Sequence, residues 1–217
     1  MVTKYTDRND AGQVLVERLQ ALNLDKAPLI LAIPNGGLAV AIPVAEQLGA
    51  DLDLLIVRKL QIPFNPEAGF GAITSLGTVI LNRPLVSRLG LTDSEIEQVI
   101  IRTRAQIESR QSTYRDLVGR FSPENRIVLL LDDGLASGYT MLAAVESVQQ
   151  QAPERVIVAV PTASASAISK VKAVVDTVVC PHIGEGYVFA VANAYQNWYD
   201  VSDTEVINLL RSFRNEG

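Results

Sequence analysis

Five short apolar runs punctuate the chain: PLILAIP (28–34), LDLLIVRKL (52–60), NRIVLLLDD (125–133), ERVIVAVP (154–161) and VVDTVVCP (174–181). They are rich in Val, Ile and Leu, and the runs at 28–34, 125–133 and 154–161 show little alternation between apolar and polar positions. A strand with one wet face alternates; a strand covered by helices on both faces does not. The runs therefore predict buried strands of a mainly parallel sheet. Helical spacing appears between them at 37–49, 140–151 and 164–174. Strand alternating with helix predicts an α/β open sheet of five strands.

Further segments decorate this frame. Residues 7–23 have the pattern of an amphipathic helix able to cover a sheet edge. Thr92 and Glu95 have capping-box spacing and open a long helix whose apolar stripe runs Ile96, Val99, Ile100, Thr103, Ile107. Its other face carries Glu97, Arg104, Glu108 and Arg110, which suits either a solvated surface or a contact between two copies in a homodimer. Ser202 and Glu205 repeat the capping spacing ahead of a C-terminal helix. The stretch 61–82, QIPFNPEAGFGAITSLGTVILN, reads as a flexible lid or as a plain β-hairpin excursion.

Composition narrows the class. A chain of 217 residues with 48% hydrophobic content suits a single domain with a large core, here the whole of 1–217. The formal net charge of −5 offers no basic field for nucleic acid, so no nucleic-acid partner is expected. Cys180 is the only cysteine, which excludes an internal disulfide and a cysteine-based zinc cluster. No leader pattern opens the sequence and no apolar run is long enough to span a bilayer, so a cytoplasmic protein without membrane contact is expected.

The chemistry concentrates at NRIVLLLDDGLASGYT (125–140). The apolar run ends in Asp132 and Asp133, and small residues follow: Gly134, Ala136, Ser137, Gly138, Thr140. In open α/β sheets, ligands bind beyond the carboxyl ends of the strands. Two adjacent carboxylates there suit ribose hydroxyls or a hydrated Mg²⁺. The loop leads into a helix, whose N–H groups and dipole suit a phosphate. One turn thus offers acidic groups for a sugar and a cradle for its phosphate. Tyr139 stands where a Walker loop needs Lys, and no dinucleotide glycine pattern is present. His182, the single histidine, is the only base from which a Ser–His triad could be assembled.

VLLLDDGLASGYT resembles the 5-phosphoribosyl-1-pyrophosphate (PRPP) signature of the type I phosphoribosyltransferases. AIPNGGLAV is similar to that family's pyrophosphate loop, VRK (57–59) sits where the family carries basic residues, and 61–82 falls where it has a flexible catalytic loop. The tail YVFAVANAYQNWYDVSDTEV resembles a poorly characterised bacterial branch of the family. The resemblance implies Mg²⁺-dependent transfer of the 5-phosphoribosyl group from PRPP to a nitrogenous base, with release of pyrophosphate. It assigns Asp132 and Asp133 to the ribose and metal, directly or through water. Ala136, Ser137, Gly138, Tyr139 and Thr140 take the 5′-phosphate, and Asn35, Gly36, Gly37, Arg58 and Lys59 face the pyrophosphate. A small C-terminal hood of about 181–217 would recognise the base, with Tyr187 and Phe189 as stacking residues. A regulator that senses PRPP with the same fold is the alternative implied.

Two residues depart from the family pattern. Ala136 occupies the place of an Asp that engages 6-oxopurines, which argues against hypoxanthine or guanine as acceptor. Asn35 stands where the branch commonly has Arg, and a neutral amide binds pyrophosphate less strongly than a charged fork.

Overall fold

A computed structural model of the chain describes residues 4–184 and 189–216. The elements follow the order helix α1 (Arg8–Gln20), strand β1 (Leu29–Ala32), α2 (Gly36–Leu48), β2 (Asp51–Leu54), β3 (Val57–Ile62), β4 (Asn65–Thr74), β5 (Val79–Leu81), α3 (Arg83–Leu89) and α4 (Asp93–Thr113). Then come β6 (Ile127–Leu131), α5 (Tyr139–Gln149), β7 (Arg155–Ala159), β8 (Thr162–Ser164), α6 (Ala165–Lys172), β9 (Thr177–Val179), β10 (His182–Gly184) and α7 (Asp203–Glu216).

The main sheet is five-stranded and wholly parallel, in the order β2-β1-β6-β7-β9. Its central strand shows why the sequence run lacks alternation. Ile127, Leu129 and Leu131 of β6 enter one apolar cluster with α1, α2, α4 and α7, while Val128 and Leu130 enter another with α5 and α6. All five residues are buried. Both faces are covered, so both parities must be apolar. Truncating Leu129 to Ala would cost about 2–5 kcal/mol.

The run at 52–60 is two strands. β2 ends at Leu54, and β3 starts at Val57 in a separate antiparallel sheet of order β3-β4-β5. Leu55 and Ile56 are buried like the strands they join, so the break leaves no polar mark in the sequence. The stretch 61–82 folds as the hairpin. β4 pairs with both neighbours, and Phe70, Ala72 and Ile73 are fully buried, while Phe64 at its turn is 87% exposed.

Helix ends match their sequence signals. Thr92 and Glu95 form a reciprocal capping box, and Ile96, Val99, Thr103 and Ile107 are the buried stripe of α4. Ser202 Oγ accepts from the Glu205 backbone N–H at the start of α7. Among the described residues no helix is long and apolar enough to cross a membrane.

Candidate active site

β6 delivers Asp132 and Asp133 to the carboxyl end of the sheet, and two helix N-termini meet them there. α2 begins at Gly36 immediately after β1, and α5 begins at Tyr139 after the loop that leaves Asp133. Neither has a side-chain cap: Asn35 and Gly138 occupy the cap positions without such a hydrogen bond. Uncapped N-termini leave donor N–H groups and the positive ends of two dipoles facing one space. The cleft has a volume of about 430 Å³.

The loop is held from behind. Leu135 N–H donates to Thr162 O at 3.0 Å, and Ser164 N–H donates to Leu135 O at 2.9 Å, which stitches it to β8. Ser164 Oγ donates to Ala136 O at 2.7 Å, and Lys170 Nζ donates to Ser137 O at 2.9 Å. With these carbonyls turned toward α6, the following amides of trans peptides point the opposite way, toward the cleft. Gly138 sits at φ 84°, in the left-handed region that a Cβ disfavours, and Ala167 lies 3.3 Å from where that Cβ would be. Ala136, Ser137, Gly138 and Thr140 line the cleft; Tyr139 instead carries the Lys170 ammonium over its ring at 5.0 Å.

The acidic pair is unequal. Asp132 Oδ1 accepts the Asp133 N–H at 2.8 Å. Asp133 Oδ2 accepts from Arg8 Nε at 2.9 Å, and the Arg8 side chain is 6% exposed. Arg8 Nη1 donates to Tyr199 O, and its guanidinium lies 4.1 Å from the Trp198 ring centre. Desolvation, then the charge of Asp133, pushes the Asp132 carboxyl well above its ordinary range, against a smaller pull from Lys59. Desolvation also raises Asp133, and Arg8 offsets part of that rise. Gly36 is required beside them, because a Cβ there would overlap the Asp133 carboxylate.

The pyrophosphate candidates divide. Gly36 and Lys59 line the cleft, and Gly37 lies beneath it against Asp132. Arg58 does not reach it. Successive residues of a strand face opposite ways, so Val57 and Lys59 of β3 face the cleft while Arg58 faces a groove beside α4. Asn35 lines the cleft, but its amide is turned aside: Nδ2 donates to Val201 O at 2.7 Å and to Asp203 Oδ1 at 3.0 Å. Its donors are spent on the start of α7, so the expected weak contact to pyrophosphate has no free N–H to make it. Asp203 Oδ1 also accepts from Tyr114 Oη at 2.8 Å and Arg110 Nη2 at 2.9 Å. Burial pushes Asp203 up, but these hydrogen bonds and the Arg110 charge outweigh it and hold the carboxyl low.

The C-terminal segment meets the cleft through Val191, Trp198, Asp200 and Val201. Phe189 packs on Gly184 instead, close enough that a Cβ on the glycine would lie 2.5 Å from its ring. Tyr187 lies outside the described residues. His182 forms part of β10, paired with Thr162 of β8. Arg8 is the residue that sequence reasoning missed; it follows a helix N-cap and carries no local signal of a partner 125 positions away.

Among the described residues no group of three or more His, Cys, Asp or Glu side chains is placed to hold a metal. The acidic pair still fits Mg²⁺ of the kind that keeps water and substrate oxygens and takes only one or two carboxylates from protein. Asp132 is the better placed of the two, because among the described residues it makes no ion pair, whereas Asp133 Oδ2 is held by Arg8.

Residues 2–197 match the sequence profile of the phosphoribosyl transferase domain. A Mycobacterium tuberculosis protein, provisionally named a phosphoribosyl transferase and known from two strains, is 35% identical over 206 residues, which is 95% of this chain and 46% of that protein. This chain therefore spans about half the length of the curated relatives it matches. A Thermus thermophilus protein of known crystal structure is 36% identical, with a TM-score of 0.80 over 97% of this chain and 99% of the other.

Proposed function

The chain belongs to the phosphoribosyl transferase family, and we propose that it transfers the 5-phosphoribosyl group from PRPP to a nitrogenous base or similar nucleophile, releasing pyrophosphate. One observation carries the reading: two uncapped helix N-termini flank a pair of carboxylates in a single cleft. That order, donor nest, acid pair, donor nest, is complementary to a sugar with a phosphate at each end.

In this reading the loop 136–140 takes the 5′-phosphate, and Asp132 accepts from the ribose hydroxyls. The N-terminus of α2 at Gly36 and the Lys59 ammonium face the pyrophosphate. The C1′–O bond lengthens as negative charge builds on the departing pyrophosphate, and preorganised donors stabilise that charge more than they stabilise the intact substrate. Mg²⁺, held beside Asp132 and Asp133, would neutralise part of the same charge. No side chain need bond covalently to the sugar. Positioning and charge supply the rate. The acceptor enters on the side of Val191 and Trp198.

Calorimetric titration with PRPP and Mg²⁺, followed by a screen of bases for pyrophosphate release, tests the assignment. Saturable PRPP binding with release for at least one base is expected. Failure to bind PRPP would overturn it. Binding without release for any acceptor would favour a PRPP-sensing regulator, a role consistent with Asp133 already paired to Arg8 and Asn35 lacking a free donor.

A further inference from the structure

Outside the cleft, three arginines converge on a groove between β3 and α4. Arg102, Gln106, Ser109, Arg110 and Thr113 recur along one stripe of α4, and Arg58 reaches the same groove from β3. Its volume is about 580 Å³. Three guanidinium groups face it against a single carboxylate, Asp203, in a chain whose net charge is −5. That carboxylate is already shared by Asn35, Arg110 and Tyr114.

Arg58 is the telling residue. Half-buried guanidinium groups are ordinarily paired, because desolvating an unpaired charge is costly. Among the described residues the Arg58 guanidinium has no side-chain hydrogen bond and no ion pair. Burial, and then the charge of Arg110, disfavour its protonated form, against a smaller pull from Asp203. Arg102, exposed on the rim, is likewise without an ion pair among the described residues. A planar fork held partly desolvated beside a second fork is suited to the geometry of phosphate oxygens. Among the described residues no aromatic side chain lines the groove, so none of them would stack on a base there.

We propose that the groove of Arg58, Arg102 and Arg110 is a second anion site, distinct from the cleft, that takes a compact polyphosphate, free or as the tail of a larger ester. The two sites share one wall. Arg110 and Asn35 both donate to Asp203 Oδ1, at 2.9 and 3.0 Å. An anion that draws Arg110 away from Asp203 leaves that oxygen to Asn35 and Tyr114, and so alters the clamp on the loop that opens α2. The groove is thereby linked to the cleft, a consequence that rests on the function proposed above; the anion site itself does not.

Titration calorimetry with inorganic tripolyphosphate in the absence of divalent cations tests it, on the wild-type chain and on Arg102→Glu, Arg58→Ala and Lys59→Ala variants. Arg102→Glu, a substitution at an exposed position, should weaken binding at one class of site at least tenfold, and Arg58→Ala should do the same. Lys59→Ala should leave that class intact. ATP without Mg²⁺ as a second titrant separates the sources. Equal affinity assigns the site to the phosphate chain, and tighter binding of ATP shows that the ester body contributes. Tripolyphosphate binding that is unchanged in both arginine variants and lost in Lys59→Ala would place the anion in the cleft alone and overturn the proposal. PRPP binding in Arg102→Glu, measured separately, keeps a failure of this site apart from a failure of the transferase reading.

Discussion

Arg8 Nε donates to Asp133 Oδ2 at 2.9 Å, joining the first turn of α1 to the end of β6. The pair is screened from water, with side chains 6% and 15% exposed. It neutralises one of two adjacent carboxylates before any ligand arrives.

Arg8→Met should therefore be strongly destabilising, because it strands Asp133 beside Asp132. A loss of about 3 kcal/mol is expected in chemical denaturation at neutral pH. Arg8 holds the Asp133 pKa down, so without it that pKa climbs further above the ordinary 3.8. Protonation then relieves the stranded charge, and the deficit should shrink as the pH falls. A deficit that is flat with pH would show that packing on Trp198, not charge, is what the substitution removed.

For Asp132 the sign is the same. Its pKa in the folded state lies well above the ordinary 3.8, so the protonated form favours folding. The associated stability is fully present below about 3.8 and is lost as the pH rises through the folded pKa. Asp132→Asn should make the ligand-free protein more stable at neutral pH, by about 1 kcal/mol, while abolishing PRPP binding. Thermal unfolding and calorimetry on the same sample decide both halves. An Asn variant no more stable than wild type at neutral pH would contradict the desolvated charge.

Asn35→Arg introduces the charged fork that the sequence resemblance leads one to expect at this position, yet should not tighten pyrophosphate. The side chain at 35 is directed to Val201 O and Asp203, and the new guanidinium would pair with Asp203 instead of the ligand. Pyrophosphate titrations at two ionic strengths should give affinity and salt slope within about twofold of wild type, since a true ion contact would steepen the salt dependence. A steeper slope with higher affinity would mean that the side chain swings into the cleft.

Asp203→Ala releases three donors at once, from Asn35, Arg110 and Tyr114. Because the carboxylate is 41% exposed, the expected cost is about 1–2 kcal/mol. The Asp203 pKa is lowered in the folded state, so its contribution is present above the ordinary 3.8 and disappears as the pH falls through the lowered value. Wild type and variant should converge in acid. Denaturation curves at neutral and acid pH test this, and a gap that persists in acid would assign the loss to packing.

The five-stranded sheet was legible because burial on both faces writes itself as unbroken Val, Ile and Leu, as in Ile127–Leu131. The acidic pair and its small-residue loop were legible because they are contiguous. What the sequence hid were matters of direction. Leu55 and Ile56 continue the apolar run through a change of sheet, so β2 and β3 read as one strand. Whether Arg58 or Lys59 enters the cleft depends on which way β3 is rotated, and neighbouring basic residues cannot tell. Asn35 sits in the expected loop, but its amide direction is set by Val201 and Asp203, 166 and 168 positions away.

Trp198 is the single tryptophan of the chain, and it lines the cleft with the Arg8 guanidinium against its ring. The protein thus carries a native optical probe at the place where ligand would bind. Indole emission from an unlabelled sample arises from that one position, with no background from a second tryptophan. Arg8 lies between the indole and Asp133, so a change in the charge or occupancy of the acidic pair reaches the same fluorophore.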